Sequence, residues 1–599
     1  MAKRTKPVSA QSLRPYLAPV LLSAAGKARH GALLAVMVAE VEASIQSTSR
    51  VTRTILESVD LGSQSSLRLH AIVYREAVTP AWHVGAAFTD IAHQLVVLAV
   101  RKDYGVVCAS EASLRDRIIK HMTAAKTLSQ KRLGAFVGPE AAAIWLDGLH
   151  TPSAVKPNTK FMTGLSLEYA LDPLGDQTYR YSAIRSRPVI AGLTDARGKS
   201  LPVGAAPMSS RIWVGRPRGW IQFTDNLRAI LDHVDKRPVV SRLYDILATP
   251  VGSPAGVSDA YAVAVVPPEL LAEDGIAAED QEEARKWAYE ARFEVKSTKG
   301  ANVEVEASLS GQLLGRLALD MHAQADDAPA KVTATWVRRP KGPADEQATC
   351  ERMLTDTNKL KIYYDSGHTL AQGYFFNPAF IDHFFPWEFL PMPATLVDAE
   401  KPTDTAGKFQ VAAIGKPEDK SLFGWVVKRL FPNGWLASDD GSMEVADFIH
   451  VDPASQVLTL VHVKGSGSSK DDRTGSVSDY EIVVSQAIKN LRHLHMRSLH
   501  EVLTRGKGKQ IGTAVWRDGK RQPDRTGFLA AVAKLPSSYQ KVIVILQPRL
   551  TKREHDACKA DAVPQARAMR MKQLNTLLLG ARLSAMACGA EIRAIGQEV

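Results

Sequence analysis

Cysteine is scarce in this 599-residue chain, and its four cysteines (Cys108, Cys350, Cys558 and Cys588) show no CxxC spacing. Their scatter excludes the common structural zinc motifs and offers no disulfide framework, which predicts a reducing, cytoplasmic location. Long apolar runs are also missing, because runs such as residues 94–100 are strand-sized and far below the roughly 18 residues of a membrane span. The basic N-terminus lacks the apolar core of a signal peptide. The composition therefore predicts a cytoplasmic protein with no membrane partner.

Nucleotide-hydrolysis motifs are a further absence. The stretch GSGSSKDD, residues 465–472, is rich in glycine and serine, but it lacks the GK[ST] ending of a phosphate-binding loop. It also follows a strand-like run instead of opening a strand-to-helix turn. We interpret it as a mobile polar loop, so any translocation or helicase step would need an ATP-driven partner.

Positive charge is concentrated near the C-terminus. The formal net charge is +12, and residues 501–599 hold 18 Lys and Arg against 8 Asp and Glu, a net of +10. A basic segment of this kind indicates a polyanionic partner, most simply nucleic acid, with DNA favoured. The alternative is an ordinary basic surface that serves solubility alone.

Length and the placement of Pro- and Gly-rich stretches predict a multidomain α/β protein. Residues 1–250 read as a mixed α/β domain for binding or recruitment. Residues 251–404 read as a β-rich middle domain that ends in an aromatic segment, and this segment suits a subunit interface, so an oligomer stays open. Residues 405–599 alternate strands and helices, which predicts an α/β domain with a central mixed sheet.

Two stretches of the first predicted domain mix cations with aromatic residues. Residues 151–188 interleave Lys and Arg with Phe and Tyr, and residues 211–220 read RIWVGRPRGW. Aromatic rings among cations can form a stacking and phosphate-binding surface. A long connection with aromatic anchors is the favoured interpretation of the first stretch, and a surface strand and turn explains the second equally well.

The strongest pattern for chemistry is a predicted β-hairpin. Residues 445–451 and 457–464 are apolar-rich runs that flank a five-residue turn. Asp447 lies early in the first run, whereas His462 and Lys464 lie two residues apart at the end of the second. Side chains two apart on a strand share a face, so the sequence predicts that His462 and Lys464 point the same way.

This part of the chain resembles the PD-(D/E)xK nucleases in the order of its elements. A helix is followed by a strand opening with an aspartate, a hairpin turn, a strand ending in x-Lys and another helix. This family has the restriction-endonuclease-like fold, and the resemblance covers roughly residues 420–500. It implies metal-dependent phosphodiester hydrolysis, with Asp447 as the principal metal ligand and Lys464 as the catalytic lysine. It also implies that the Val463 carbonyl faces a Mg²⁺ or Mn²⁺ ion, and that Gln486 is the glutamine related nucleases carry on the next helix.

One position departs from the family, because His462 stands where the second carboxylate is expected. Imidazole binds Mn²⁺ and other transition metals but suits Mg²⁺ poorly. Three outcomes stay open: a Mn²⁺-preferring site with His462 as a ligand, a site whose second carboxylate comes from elsewhere, or an inactive nuclease fold. The replacement candidates are Glu444 first, then Asp439 and Asp440, and Glu481 and Gln486 on the helix.

These patterns favour a metal-dependent DNA endonuclease or nickase, whose layout resembles nuclease subunits of bacterial anti-phage defence systems. The alternative is a catalytically degenerate nuclease fold that binds DNA as a scaffold. A hydrolase that uses Asp365 and His368 ranks below both. A second acid-x-Lys triplet, at residues 294–296, has no acidic strand upstream to pair with, so we interpret it as an exposed charged strand face.

Overall fold

The computed structural model describes residues 9–16, 18–25, 30–46, 51–80, 88–110, 115, 119, 122–151, 154–235, 244–251, 254–267, 278–323, 329–377, 383–441, 444–494, 496–505 and 511–599. The protein is a multidomain mixed α/β chain, which confirms the predicted class at that level. It divides into two compact units, Met1–Leu171 with Gly175–Phe380, and Asp172–Leu174 with Ile381–Val599. Within the described ranges, none of the helices has the length and apolarity that a bilayer crossing requires.

The largest sheet of the first unit is antiparallel throughout its described strands. Its strands are β1 (Val20–Ala24), β2 (Val51–Gln64), β3 (Leu67–Val78), β4 (Asp90–Arg101), β5 (Tyr104–Ala109), β6 (Ala125–Thr127), β7 (Ala143–Gly148), β8 (Thr159–Thr163), β9 (Tyr179–Ser186), β10 (Val203–Ala206) and β11 (Arg211–Trp213). They run in the order β2-β3-β4-β5-β1-β11-β10-β9-β7-β8, with β6 paired to β1. Its helices are α1 (His30–Ile45), α2 (Gln130–Leu133) and α3 (Trp220–His233).

Two smaller antiparallel sheets complete the first unit. Their strands are β12 (Thr249–Val251), β13 (Ala260–Val265), β14 (Ala291–Lys299), β15 (Asn302–Leu309), β16 (Gln312–His322), β17 (Lys331–Arg338), β18 (Leu360–Tyr364), β19 (Thr369–Ala371) and β20 (Tyr374–Asn377). Strands β14 to β17 form one sheet in sequence order, and the order β12-β20-β19-β18-β13 forms the other. The helices are α4 (Ala278–Tyr289) and α5 (Ala344–Thr355).

The acid-x-Lys triplet of β14 lies on an exposed charged face, as predicted. The Lys296 ammonium is 2.7 Å from the Glu294 carboxylate and 3.2 Å from that of Glu306 on β15. Burial alternates along β15, whose apolar side chains Val303, Val305 and Ala307 are in the core. The triplet is therefore part of a surface ion-pair ladder.

The second unit is built on one mixed sheet. Its strands are β21 (Glu388–Leu390), β22 (Trp435–Ser438), β23 (Phe448–Asp452), β24 (Val457–Val463), β25 (Val515–Arg517), β26 (Lys520–Arg521), β27 (Gln540–Thr551) and β28 (Ala590–Gln597). The order is β21-β28-β27-β24-β23-β22-β25-β26. Strands β24, β27, β28 and β21 pair in parallel, and the remaining pairs are antiparallel. A central mixed sheet in this part of the chain was predicted, and the structure confirms it.

Helices cover both faces of this sheet. They are α6 (Leu422–Trp425), continued by a π-helical turn (Val426–Leu430), α7 (Val477–Lys489), α8 (Met496–Thr504), α9 (Thr526–Ala533), α10 (Lys552–Lys559) and α11 (Gln565–Ala587). Leu458 and Leu460 of β24 join one apolar core with residues of α7 and α11, whereas Val461 and Val463 join another with residues of α6. Burial on both faces explains why β24 reads as a continuous apolar run.

The structure corrects several boundaries of the predicted last domain. Strand β23 begins at Phe448 instead of residue 445, so Asp447 precedes the strand. The predicted strand at residues 409–414 is wrong, because Val411–Ala413 form a short 3-10 turn with local backbone hydrogen bonds. The second unit also begins before residue 405, because β21 is hydrogen-bonded to β28. The predicted division near residue 250 falls inside the first unit.

Candidate metal centre

The loop between β22 and β23 is organised by Asp439, which is fully buried. One carboxylate oxygen accepts the Val445 N–H at 3.0 Å, and the other is 3.1 Å from the Arg525 guanidinium. The Asp439 N–H also donates to the Asp447 carbonyl at 3.0 Å. These bonds hold residues 445–447 in the loop, which is why the strand begins later than predicted. Asp439, a weaker ligand candidate in the sequence, is therefore engaged in shaping the loop.

Three carboxylates converge where this loop enters β23. One oxygen each from Asp440, Glu444 and Asp447 lies within 4.8 Å of the others. Asp447 is 4% exposed, and its Oδ2 accepts the Val463 N–H at 2.8 Å. We call Asp440, Glu444 and Asp447 the carboxylate group. All of its donors are oxygen, and that donor chemistry fits Mg²⁺ or Mn²⁺.

The carboxylate group carries negative charge that its surroundings tolerate poorly. Burial raises the pKa of Asp447 well above its usual range, and the charges of Glu444 and Asp440 add to this rise, while the Val463 N–H opposes it. Burial also raises the pKa of Glu444, and the nearby Asp440 adds to the effect. A cation between these groups would stabilise their ionised forms.

Two lysines and one more glutamate connect to the carboxylate group. The Lys401 ammonium lies 2.6 Å from the Asp440 carboxylate and 3.4 Å from Glu400 Oε1. The other oxygen of Glu400 lies 3.0 Å from the Lys464 ammonium. Burial by itself lowers the pKa of Lys401, but the hydrogen bond to Asp440 and the nearby carboxylates outweigh burial, so the pKa is raised overall. Glu400 thus bridges the predicted catalytic lysine and the cation that neutralises Asp440.

Glu400 and Lys401 are residues that the sequence interpretation missed. They lie in a Pro- and Thr-rich stretch that reads as a linker between domains. An adjacent Glu-Lys pair there has no spacing relation to the hairpin, so no local pattern marks it. The one usable signal is that this stretch immediately precedes the predicted nuclease-like segment.

His462 is in the core and is not a member of the carboxylate group. It is fully buried, and neither ring nitrogen has a hydrogen-bond partner among the described residues. Burial lowers the pKa of His462 to about 4, with a further contribution from the positive charge of Lys489. The imidazole is therefore neutral near pH 7. Of the three outcomes left open by the sequence, this geometry favours a second carboxylate from elsewhere, supplied by Glu444 and Asp440.

The C-terminal half of α7 contacts the candidate centre. The Gln486 amide donates to Glu444 Oε1 at 3.5 Å, and the Asn490 amide donates to the Glu444 carbonyl at 3.3 Å. Gln486, predicted from the resemblance, therefore lies beside the carboxylate group. Glu481 is exposed on the same helix and is outside the group. For Val463, the observed contact with Asp447 is made by its N–H, and a role for its carbonyl stays a prediction.

The His462 environment gives a pH-dependent stability. The unfolded imidazole has the ordinary pKa near 6.5, and the folded one is lowered to about 4, so the unfolded chain binds the extra proton between these values. Stability is therefore expected to fall as pH drops from about 6.5 to about 4, by about 3 kcal/mol from this residue. In His462→Leu, the unfolding free energy measured with urea should depend less on pH over this range. His93→Leu, at an exposed histidine, is the matched control, and equal pH profiles for the wild type and His462→Leu would contradict the assignment.

The third candidate pair lies in a turn of the first unit. Asp365 is exposed, and His368 Nδ1 is 3.0 Å from the Ser366 hydroxyl within the same turn between β18 and β19. Neither residue belongs to the carboxylate group. A local turn contact accounts for this histidine.

Comparison with known proteins finds no relative of this chain. No protein-family model, curated protein or solved structure matches the chain. The functional interpretation therefore depends on the site itself and on the motif resemblance.

Proposed function

We propose that the second unit is a divalent-metal-dependent phosphodiesterase that cuts DNA as an endonuclease or nickase. The observation that carries the proposal is the carboxylate group at the start of β23, with Lys464 directly after β24 on the neighbouring strand. The strand arrangement also supports it, because β22, β23 and β24 form an antiparallel meander and β27 pairs in parallel with β24. Helices α6 and α7 flank this meander in the chain, in the order the PD-(D/E)xK resemblance implies.

The carboxylate group would hold the Mg²⁺ or Mn²⁺ ion. Such an ion, when bound, polarises a phosphoryl oxygen and lowers the pKa of a coordinated water. Hydrogen bonds within the chain would orient the ligands: the Val463 N–H donates to Asp447, and the Gln486 and Asn490 amides donate to Glu444. Such outer contacts orient metal-binding groups before the ion arrives.

Lys464 would supply positive charge to the reacting phosphate. Its side chain is 41% exposed, so the ammonium is accessible from solvent while Glu400 holds it at 3.0 Å. A cation fixed in this way stabilises the negative charge that develops on a phosphate under attack. The net charge of residues 501–599 supports a polyanionic substrate for the same unit.

The second candidate function is a DNA-binding scaffold with a degenerate nuclease fold. One observation favours it: Lys464 pairs with Glu400, and Lys401 already neutralises Asp440. A protein of this kind would bind DNA in a salt-sensitive way and would not cut it.

Incubating the purified protein with supercoiled plasmid separates these two functions. Nicked or linear product with Mn²⁺ or Mg²⁺, abolished by EDTA, supports the nuclease. Salt-sensitive plasmid binding without product under either metal supports the scaffold and overturns the nuclease proposal.

Lys401 gives a prediction about metal affinity. Its ammonium occupies the cation position beside Asp440, so a metal ion must compete with it. Lys401→Met is therefore expected to tighten Mn²⁺ binding about tenfold, as measured by calorimetry or by electron paramagnetic resonance. Lys408→Met, at an exposed lysine nearby, should leave the affinity unchanged. Weaker Mn²⁺ binding in Lys401→Met would show that the ammonium supports the site instead of competing for it.

A further inference from the structure

On strands β7 to β11 of the large sheet in the first unit, one face carries aromatic rings. On strands β7 to β11, one set of side chains packs inward, and it includes Ile144, Ile184, Val203, Ala205 and Ile212. The alternate positions place Trp145 on β7, Phe161 on β8 and Trp213 on β11 on the opposite face. We call Trp145, Phe161 and Trp213 the aromatic strip.

The strand register brings the aromatic strip together. Trp145 pairs with Phe161 across β7 and β8, and their ring centroids are 4.8 Å apart. The Trp145 and Trp213 centroids are 6.2 Å apart, although two strands separate β7 from β11. The intervening positions are small: Ala183 pairs with Trp145, and Gly204 pairs with Trp213. The rings therefore lie across the strands as neighbours.

Gly204 is required for this arrangement. A Cβ atom at Gly204 would lie 1.8 Å from the Trp213 ring, far inside van der Waals contact. The indole thus lies flat against the backbone of β10. A side chain there would displace the ring, so the glycine makes room for Trp213 on this face.

Two guanidinium groups share the face. Arg211 lies over the Trp213 ring, with its Cζ 5.3 Å from the centroid. Arg185 pairs with Gly204 across β9 and β10, which places it on the same face, and it is exposed. No carboxylate of the described residues pairs with Arg185, whereas the nearby Arg187 lies 3.2 Å from Glu140. An exposed cation without a counter-charge beside aromatic rings is suited to a negatively charged ligand.

We propose that the aromatic strip with Arg185 and Arg211 is a binding surface for a single-stranded nucleic acid. Unpaired bases stack on aromatic side chains, and guanidinium groups contact the phosphates between them. A duplex keeps its bases stacked inside, so it offers the rings no free base face. Cross-strand aromatic pairs also stabilise sheets, but Phe161 is 57% exposed and leaves a ring face to solvent. This surface belongs to the first unit and does not depend on the carboxylate group.

The test removes one ring and one cation from the full-length protein. Phe161→Ala with Arg185→Ala is expected to weaken binding of an oligothymidylate of about 20 nucleotides by about tenfold or more. Fluorescence anisotropy in EDTA, at about 0.15 M salt, avoids cleavage and screens weak surface attraction. The matched control is Tyr289→Ala with Arg228→Ala, which removes an exposed ring and an exposed arginine elsewhere in the first unit.

Three comparisons decide the outcome. Weakening in the strip variant, with the control variant at wild-type affinity, supports the surface. A larger loss of oligothymidylate binding than of duplex binding in the strip variant supports the single-stranded ligand, and a comparison of oligouridylate with oligodeoxyuridylate, which differ only in the sugar, identifies its sugar. Unchanged oligothymidylate affinity in the strip variant, equal weakening in the control, or an equal loss of duplex binding in the strip variant overturns the proposal. Because no cleavage is measured, this result is independent of the proposed nuclease activity.

Discussion

Asp447→Asn is expected to lower the proposed metal-dependent DNA cleavage by about a thousandfold or more, because it removes the buried carboxylate around which the carboxylate group is built. Lys464→Ala should cause a loss of similar size by removing the cation next to the site. Supercoiled plasmid, with product followed over time under Mn²⁺ and Mg²⁺, gives the rates. Asp472→Asn and Lys470→Ala, both exposed in the loop after β24, are the matched controls. Cleavage at the wild-type rate by Asp447→Asn or Lys464→Ala would sink the nuclease assignment.

The stability of Asp447→Asn separates lost chemistry from lost folding. The pKa of Asp447 is raised in the folded protein, so folded-state stability falls as pH rises from the ordinary aspartate value through the raised one. The asparagine variant lacks this loss. In EDTA at pH 7, its Tm is therefore expected to lie above that of the wild type. An inactive variant with a raised Tm is folded, and its inactivity is then due to the missing carboxylate.

Arg525→Ala is expected to cost about 3–5 kcal/mol of unfolding free energy, because it leaves the buried Asp439 carboxylate without its counter-charge. For a unit of this size, that corresponds to a fall of about 10 °C in Tm, measured by calorimetry. The same change should also suppress cleavage, because Asp439 holds the loop that carries Asp440 and Glu444. Activity is then lost although no residue of the carboxylate group is altered.

The control for Arg525→Ala is Arg517→Ala. Arg517 pairs with Asp518 at 3.9 Å, and both side chains are more than 60% exposed, so its removal should cost about 1 kcal/mol or less. The double variant Asp439→Asn with Arg525→Met should be less destabilised than the sum of its single changes. A Tm for Arg525→Ala no lower than that for Arg517→Ala would show that the buried pair does not hold the loop.

The local parts of the site were predictable from the sequence, and the long-range parts were not. The turn between β23 and β24, the apolar run of β24 and the helix bearing Gln486 are set by neighbouring residues, so alternation and helical spacing identify them. Asp439 and Asp440 are adjacent and chemically identical. The partner that separates their roles, Arg525, is 86 residues away from Asp439 in the sequence. No pattern within the hairpin could show which of these two aspartates belongs to the carboxylate group.

His462 illustrates a different limit. Its spacing from Lys464 predicts a shared strand face, but Lys464 lies after the end of β24, and the spacing does not show what covers His462. Leu458 and Leu460 pack there against residues of α7, and His462 continues the same row into the core. Whether an imidazole on a strand becomes a ligand or a buried neutral group depends on tertiary packing, which the hairpin sequence does not encode.

Glu400 divides its two oxygens between Lys401 and Lys464, so in the proposed nuclease it would link binding at the metal end of the site to binding at the phosphate end. A phosphate that draws the Lys464 ammonium towards itself frees one Glu400 oxygen to hold Lys401 more strongly. Lys401 would then be drawn away from Asp440, and the carboxylate group would bind a divalent cation more tightly. By reciprocity, loading of the cation eases capture of the phosphate by the same free energy. For the proposed nuclease, we therefore expect a single carboxylate outside the hairpin to make binding of nucleic acid and binding of metal cooperative.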